Sequence, residues 1–191
     1  MTKTSSLAIH PLTPDRWADF AALMGPKGGV GGCWCMLWRQ SKRDYDRNAG
    51  DGNREAMRRL IEKGPPPGLL AYDGDRCVGW LSLAPRGAFA RLQSSRVLQP
   101  VDKADVWSIT CLFIARGHRR RGVGTALLQA AGDFARLHGA RILEGYPIAP
   151  REGRYPDAYA WTGIECQFHA AGFREVARRS PTRPIMRQEL A

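Results

Sequence analysis

The sequence of 191 residues has the length of one domain, and its 43% hydrophobic and 25% charged residues are typical of a globular protein with a sizeable core. No apolar run approaches the roughly 20 residues that span a bilayer, and residues 1–10 do not read as a signal peptide, so we expect a cytoplasmic protein without membrane contact. The net charge of +11 suits nucleic acid or a phosphate-rich ligand, although a bias toward arginine in the source genome would explain it equally well.

The first third of the chain predicts a short strand and two helices. Residues 7–10 are apolar and extended in character, and residues 13–24 carry apolar side chains at helical spacing before Gly25. A second helix is predicted over residues 53–63, with an Asn cap at its start and Gly64 followed by three prolines at its end. A glycine-rich segment separates the two helices.

The middle of the chain predicts a hairpin and a strong central strand. Residues 69–72 and 77–83 are apolar runs on either side of Asp-Gly-Asp, which is a turn signal. Residues 86–105 show no clear period and predict a partly helical connection. Residues 106–114 are rich in β-branched and aromatic side chains and are apolar enough to lie inside a sheet.

The last third predicts a parallel strand-helix-strand unit and a terminal strand pair. Residues 125–138 have one apolar helical face, and residues 141–146 form the next strand. A short helix is expected around residues 163–171, and strands at 175–179 and 184–188. The chain therefore predicts one mixed α/β domain over its whole length.

The motif with the clearest chemistry lies between the strongest strand and the following helix. It reads Ala-Arg-Gly-His-Arg-Arg-Arg-Gly-Val-Gly from Ala115 to Gly124. Glycines there let the backbone approach a ligand, and the amides of the loop and first helical turn point outward with the positive end of the helix dipole behind them. The arginines add charge-assisted donors. This combination predicts a phosphate-binding loop rather than an ordinary basic turn.

Two other phosphate-binding motifs do not fit this loop. A Walker loop requires Gly-Lys-Ser/Thr, which does not occur in the sequence. A dinucleotide fingerprint requires a third glycine where Leu127 stands.

At these residues the chain resembles the GNAT superfamily of N-acetyltransferases, whose acetyl-CoA signature is Gln/Arg-x-x-Gly-x-Gly/Ala after the fourth strand. Ile114 stands five residues before Arg119 in the family manner, and the sequence Ala-Ala-Gly-Phe ending at Phe173 resembles the late Gly-Phe of the family. The order of predicted elements is also similar, so the resemblance spans almost the whole chain. It implies an α/β fold, a single GNAT-like domain over residues 1–191, with a mixed central sheet flanked by helices and with splayed parallel central strands.

The resemblance implies an acetyl-CoA site along the central strand and the loop. Exposed backbone of the strand would pair with the pantetheine arm, and an N–H near Leu112 or Phe113 would polarise the acetyl carbonyl. The loop amides and arginines would hold the pyrophosphate. The implied cofactor-binding residues are Leu112, Phe113, Ile114, Arg119, Arg120, Arg121, Gly122, Val123, Gly124, Thr125 and Phe168.

The sequence departs from the family at the residues that commonly carry out proton transfer. Many members have a Tyr four residues before the late Gly as general acid, and a Glu on the central strand as base; here the first is Phe168, and residues 106–114 contain no Glu. Glu144 and Tyr146 share one face of the later strand and are the predicted catalytic substitutes. The alternatives, a partner for an arginine and a core aromatic, stay open.

The glycine-rich segment from Gly28 to Trp38 sets two of the five cysteines one residue apart. This spacing is too short for common zinc and redox motifs, and the four histidines are scattered, so we expect no metal site. By the resemblance the segment covers the acceptor side of the cleft. Trp34, Met36 and Trp38 are therefore predicted to bind the acceptor, with packing in the core beneath the loop as an equal alternative.

The sequence thus predicts an N-acetyltransferase with acetyl-CoA as co-substrate and a small-molecule or peptide amine as acceptor, attacked directly in a ternary complex. It leaves a homodimer open. The alternative is a protein of the same fold that binds acyl-CoA or nucleic acid in a regulatory role without efficient catalysis. Nucleic acid is the less favoured ligand because no aromatic residue interrupts the arginine cluster.

Overall fold

A seven-stranded mixed sheet organises the fold, which the computed structural model describes for residues 7–150 and 160–191. In chain order the strands are β1 (Ala8–Pro11), β2 (Gly68–Asp73), β3 (Arg76–Pro85), β4 (Trp107–Ile114), β5 (Ile142–Gly145), β6 (Arg174–Arg178) and β7 (Pro184–Glu189). Their order across the sheet is β1-β2-β3-β4-β5-β7-β6. Adjacent strands run antiparallel except β4 and β5, whose predicted parallel pairing is confirmed.

Helices cover both faces of this sheet. They are α1 (Trp17–Met24), α2 (Lys42–Arg47), α3 (Asp51–Lys63), α4 (Ala90–Ser94), α5 (Val123–Leu137) and α6 (Glu165–Ala170). The apolar stripe of α5 packs on one face in the larger core cluster, while α1 and α3 pack on the other around the fully buried Trp80. A third cluster lies beneath α4 and contains Phe89 and Tyr146. Among the described residues, no helix combines the length and the apolar character required to cross a bilayer.

Two helices differ from the sequence-based expectation for identifiable reasons. The predicted cap Asn53 lies inside α3, where it is fully buried and its amide donates to the Gly32 carbonyl at 3.0 Å. Helix α2 was not predicted because it buries none of its side chains and so has no apolar stripe. It is stabilised instead at its start, where the Ser41 hydroxyl accepts a bond from the Asp44 amide at 3.1 Å.

The central strands β4 and β5 separate after three paired residues. The register joins Trp107 to Leu143 and continues only to Ile109 opposite Gly145. A bulge follows in β4: Ser82 of β3 pairs with Cys111, but Leu83 pairs with Ile109, which leaves one residue of β4 without a partner on β3. From there to Ile114, β4 has no partner on β5, and an open wedge forms beside it.

Candidate functional site

A cleft of about 420 Å³ opens where β4 departs from β5. One wall is the end of β4, a second is the turn between β4 and α5 with the first turn of α5, and a third is the segment 160–167. Val30, from the glycine-rich segment, closes one end. The described lining includes arginines and a histidine but no Asp or Glu, so the cleft favours an anionic ligand.

The loop from Ala115 to Gly124, called the basic loop below, forms the positively charged end of this cleft. Gly122 precedes α5 with φ of 81°, a left-handed conformation that suits glycine, and α5 begins at Val123. The free amides of this 15-residue helix therefore face the cleft with the helix dipole behind them. Arg119 and Arg120 also line the cleft, and Arg119 Nε donates to the Ile114 carbonyl at 3.1 Å.

The structure brings most of the predicted cofactor-binding residues together but leaves two outside the cleft. The residues that line it are Leu112, Phe113, Ile114, Arg119, Arg120, Gly122, Val123, Gly124 and Thr125. Arg121 is exposed and does not belong to this lining. Phe168 is fully buried, with its ring packed against Gly145, Gly163 and Phe173.

The neighbours of Phe168 take its place in the cleft. Cys166 and Gln167 both line it, and the Gln167 side chain lies next to Gly124. The side-chain oxygen of Gln167, Oε1, accepts a hydrogen bond from the backbone amide of Ile164 at 3.1 Å, which orients this side chain at the start of α6. Sequence reasoning missed both residues because it followed the tyrosine position of the family, whereas the side chains one and two residues earlier reach the cleft.

The backbone of β4 presents a hydrogen-bond donor at Leu112. The Ala115 amide donates to Val78, on β3, at 2.9 Å. Because backbone groups alternate in direction along a strand, the amides of Leu112 and Ile114 face the cleft and that of Phe113 faces β3. The Leu112 amide donates to the carbonyl of Trp161 at 2.7 Å, so a ligand that needs this donor has to displace that carbonyl.

The predicted catalytic pair lies in a buried polar network beside the cleft. Glu144 is fully buried; it accepts from Arg86 at 3.0 Å, from the Tyr146 hydroxyl at 2.7 Å and from Arg187 at 2.7 Å. The Tyr146 hydroxyl also contacts Ser108 at 2.8 Å. Burial and the neighbouring Glu144 raise the pKa of Tyr146, which keeps the phenol protonated. Neither residue lines the described cleft, and their catalytic role stays a prediction.

The three predicted acceptor residues occupy two different environments. Trp34 and Met36 are 5% and 6% exposed and belong to the core around α1 and α3, where Trp34 stacks on Trp17. Trp38 is half-buried and packs against Trp161, with ring centroids 6.0 Å apart. It lines a second cavity on the far side of Trp161 from the cleft.

The cysteines of the glycine-rich segment contact the sheet through Cys35. A hydrogen bond with the Cys111 thiol on β4 lowers the pKa of Cys35 to about 7, against the opposing effect of burial. Arg39 adds a favourable charge and donates to Ser82 Oγ at 3.2 Å on the neighbouring strand. Within residues 7–150 and 160–191 there is no group of three or more potential metal-ligating side chains.

Comparison with solved structures places this architecture among acetyltransferases. A Desulfovibrio desulfuricans protein assigned to the GNAT family aligns with a TM-score of 0.56 and 18% identity, over 97% of this chain and 100% of its own. YncA from Salmonella typhimurium, solved with its cofactor acetyl-CoA, aligns with a TM-score of 0.53 and 14% identity over 97% and 94% of the two chains. The PaiA N-acetyltransferase of Thermoplasma acidophilum, in complex with coenzyme A, aligns with a TM-score of 0.53 and 12% identity, over 96% of this chain and 99% of its own.

Sequence comparison leads to the same group. A search of curated proteins finds no match. The sequence model of the acetyltransferase (GNAT) family matches residues 34–147, which is more than half of the chain and includes the whole basic loop. The protein, with its splayed central strands and its glycine-arginine turn before α5, therefore belongs to the GNAT family of acetyltransferases.

Proposed function

We propose that this protein is an N-acetyltransferase that transfers the acetyl group of acetyl-CoA to a primary amine of a small molecule or peptide, by direct attack in a ternary complex. The observation that carries the proposal is the cleft itself. In it, the unpaired edge of β4 leads directly to a helix N-terminus flanked by Arg119 and Arg120.

The residues present fit coenzyme A by their chemistry. The amides at the start of α5 and the two arginines would hold the pyrophosphate, and no described lining carboxylate opposes it. The cleft-facing backbone of Ile114 would pair with an amide-containing arm as an added strand does, which leaves the Leu112 amide for the acyl group. Two structural neighbours, YncA and PaiA, are solved with acetyl-CoA and coenzyme A respectively, which supports this assignment.

Bound acetyl-CoA would supply a thioester, whose carbonyl is open to attack by an amine. The Leu112 amide is the donor placed to polarise that carbonyl once the Trp161 carbonyl has moved away. Phe168 carries no proton for the departing sulfur, and a thiolate is a weak enough base to leave without one. The acceptor amine must be neutral when it attacks; it then loses one proton as the amide forms, and the departing thiolate takes up a proton.

Titration calorimetry with acetyl-CoA tests the binding half of the proposal. Arg120→Glu reverses a charge in the cleft, and we expect at least a tenfold loss of affinity. Arg121→Glu makes the same change one residue away on an exposed side chain outside the described lining, and we expect a much smaller effect. Equal losses in the two variants would show that affinity depends on overall charge and not on this cleft.

Release of free thiol from acetyl-CoA with a panel of amines tests the catalytic half. The panel covers amino acids, polyamines, aminoglycosides and peptides. We expect turnover with at least one class. Binding of acetyl-CoA without turnover of any of them would favour the non-catalytic, acyl-CoA-binding alternative.

A further inference from the structure

A second cavity of about 650 Å³ lies next to the cleft. It is bounded by the end of the glycine-rich segment and the residues after it, by α4 with the residue after it, and by Trp161 and Arg183. Trp161 lines both cavities, and its backbone carbonyl accepts a hydrogen bond from the Leu112 amide at the point where the acyl group is expected. A molecule in the second cavity is therefore separated from the acyl position by one residue.

The second cavity is positively charged. Three basic side chains line it, and its described lining contains no Asp or Glu. Lys42 is neutralised by an ion pair with Asp46, and Arg183 donates to the Thr162 hydroxyl at 2.8 Å. A hydroxyl does not neutralise a guanidinium, so Arg183 and Arg91 both contribute positive charge to the lining.

Arg91 is held in place without a counter-charge. Its guanidinium stacks 5.1 Å from the centre of the Tyr45 ring, and its backbone amide donates to Trp38 at 3.2 Å. Its Nε is buried and has no hydrogen-bond partner, and none of the described ion pairs includes it. Arg91 as a whole is half-buried at the cavity, so an anion that enters can form a charge-assisted pair with it.

We infer that the second cavity is the acceptor site and that it selects an amine bearing a carboxylate, which Arg91 binds. The inference rests on the proposed acetyl transfer and adds the substrate class. Trp38 and Trp161 supply apolar walls for the carbon frame of the acceptor. The volume is in the range of small-molecule sites. A polyamine would meet the same basic lining with repulsion.

Matched acceptor pairs test the inference. Free amino acids are compared with their carboxamides, which differ only in the charged group, and a tripeptide is included in acid and amide forms. With saturating acetyl-CoA we expect kcat/KM at least tenfold higher for the acids, because an arginine-carboxylate pair is charge-assisted and can be bidentate. Preference for the free amino acid over the tripeptide acid, or the reverse, identifies the source of the carboxylate.

Substitution of Arg91 assigns the effect to this side chain. Arg91→Met keeps the apolar stem, and it should remove most of the preference for acids while leaving the affinity for acetyl-CoA unchanged. Arg91→Lys should restore part of the preference. Ser94→Glu places a negative charge on the same cavity and should lower kcat/KM for acids specifically. Arg76→Met, on the exposed end of β3, is the matched control and should change neither quantity.

The outcomes separate this inference from the proposed function. If the unmodified protein does not bind acetyl-CoA, both the proposed function and this inference are overturned. Turnover that is equal for acids and amides, or higher for polyamines, would overturn the inference alone. The same is true if Arg91→Met and Ser94→Glu both retain the parent preference for acids.

Discussion

Glu144 is expected to be essential for stability because it compensates two arginines inside the protein. Glu144→Gln keeps the shape of the side chain and removes its charge. Arg187 retains Asp102, at 2.6 Å, but Arg86 is left with only the carbonyls of Leu92 and Leu98 and the Tyr146 hydroxyl. Breaking a buried ion pair costs about 3–5 kcal/mol, and the retained amide oxygen places this variant near the lower end, at about 3 kcal/mol.

Thermal and urea unfolding measure this effect directly. For a chain of this length, a loss of about 3 kcal/mol corresponds to a fall in Tm of about 6–12 °C. Tyr146→Phe is the companion variant: it removes a hydroxyl that bridges Ser108 and Glu144, and we expect a loss of about 1–2 kcal/mol. A stability of Glu144→Gln within 1 kcal/mol of the parent would refute this account. A folded Tyr146→Phe with kcat reduced a hundredfold would instead support catalysis by Tyr146.

Two further predictions concern the backbone at the basic loop and the thiol beside β4. Gly122→Ala should cost about 1–2 kcal/mol in urea unfolding, because its φ of 81° strains any other residue although the space around it is open. Gly117→Ala, at a glycine without a positive φ and with open space around it, should be close to neutral, and equal costs would contradict the assignment. The Cys35 pKa of about 7 predicts a thiolate absorbance at 240 nm that rises with a midpoint near pH 7 and disappears in Cys35→Ser. Since folding lowers the pKa of Cys35, the Cys35 thiolate stabilises the fold above the unfolded pKa, and this contribution is lost as the pH falls through 7. The absence of a titration near pH 7 would contradict the contact between the two thiols.

The fold and the position of the glycine-arginine loop at the cleft were predictable because their signals are local. The β-branched run of β4, the basic turn and the apolar stripe of α5 follow one another in the sequence, and each is decided by neighbours a few residues away. The parallel pairing of β4 and β5 follows from the handedness of the helical connection between them. Of the predicted loop residues, all but the exposed Arg121 line the cleft, and His118 lines it as well although it was not among them.

The surroundings of Glu144 and Trp34 depend on distant residues and were left open by the sequence. Glu144 meets Arg86 from 58 residues away, through a turn that no periodicity identified. Trp34 resembles a loop residue because glycines precede it, yet a side chain at Gly28 would collide with its ring at 2.3 Å. The glycines are thus needed to let the chain pass over a buried tryptophan, which composition alone does not distinguish from a flexible lid.

Trp161 couples the two cavities, since one residue separates the acyl position from the proposed acceptor site. Releasing its carbonyl from the Leu112 amide costs about 1 kcal/mol, or about fivefold in affinity for any ligand that takes over this donor. Coenzyme A lacks the acetyl oxygen and does not have to meet this cost. Trp161→Ala removes the packing on Trp38 that holds the segment 160–167 in place. The variant should therefore raise the affinity for acetyl-CoA relative to coenzyme A by up to about fivefold. It should also raise the KM for the acceptor. Calorimetry with both ligands on both proteins measures the ratio. A ratio that does not change would mean that acetyl binding leaves the Trp161 carbonyl in place and that the Leu112 amide is not the donor that polarises the thioester.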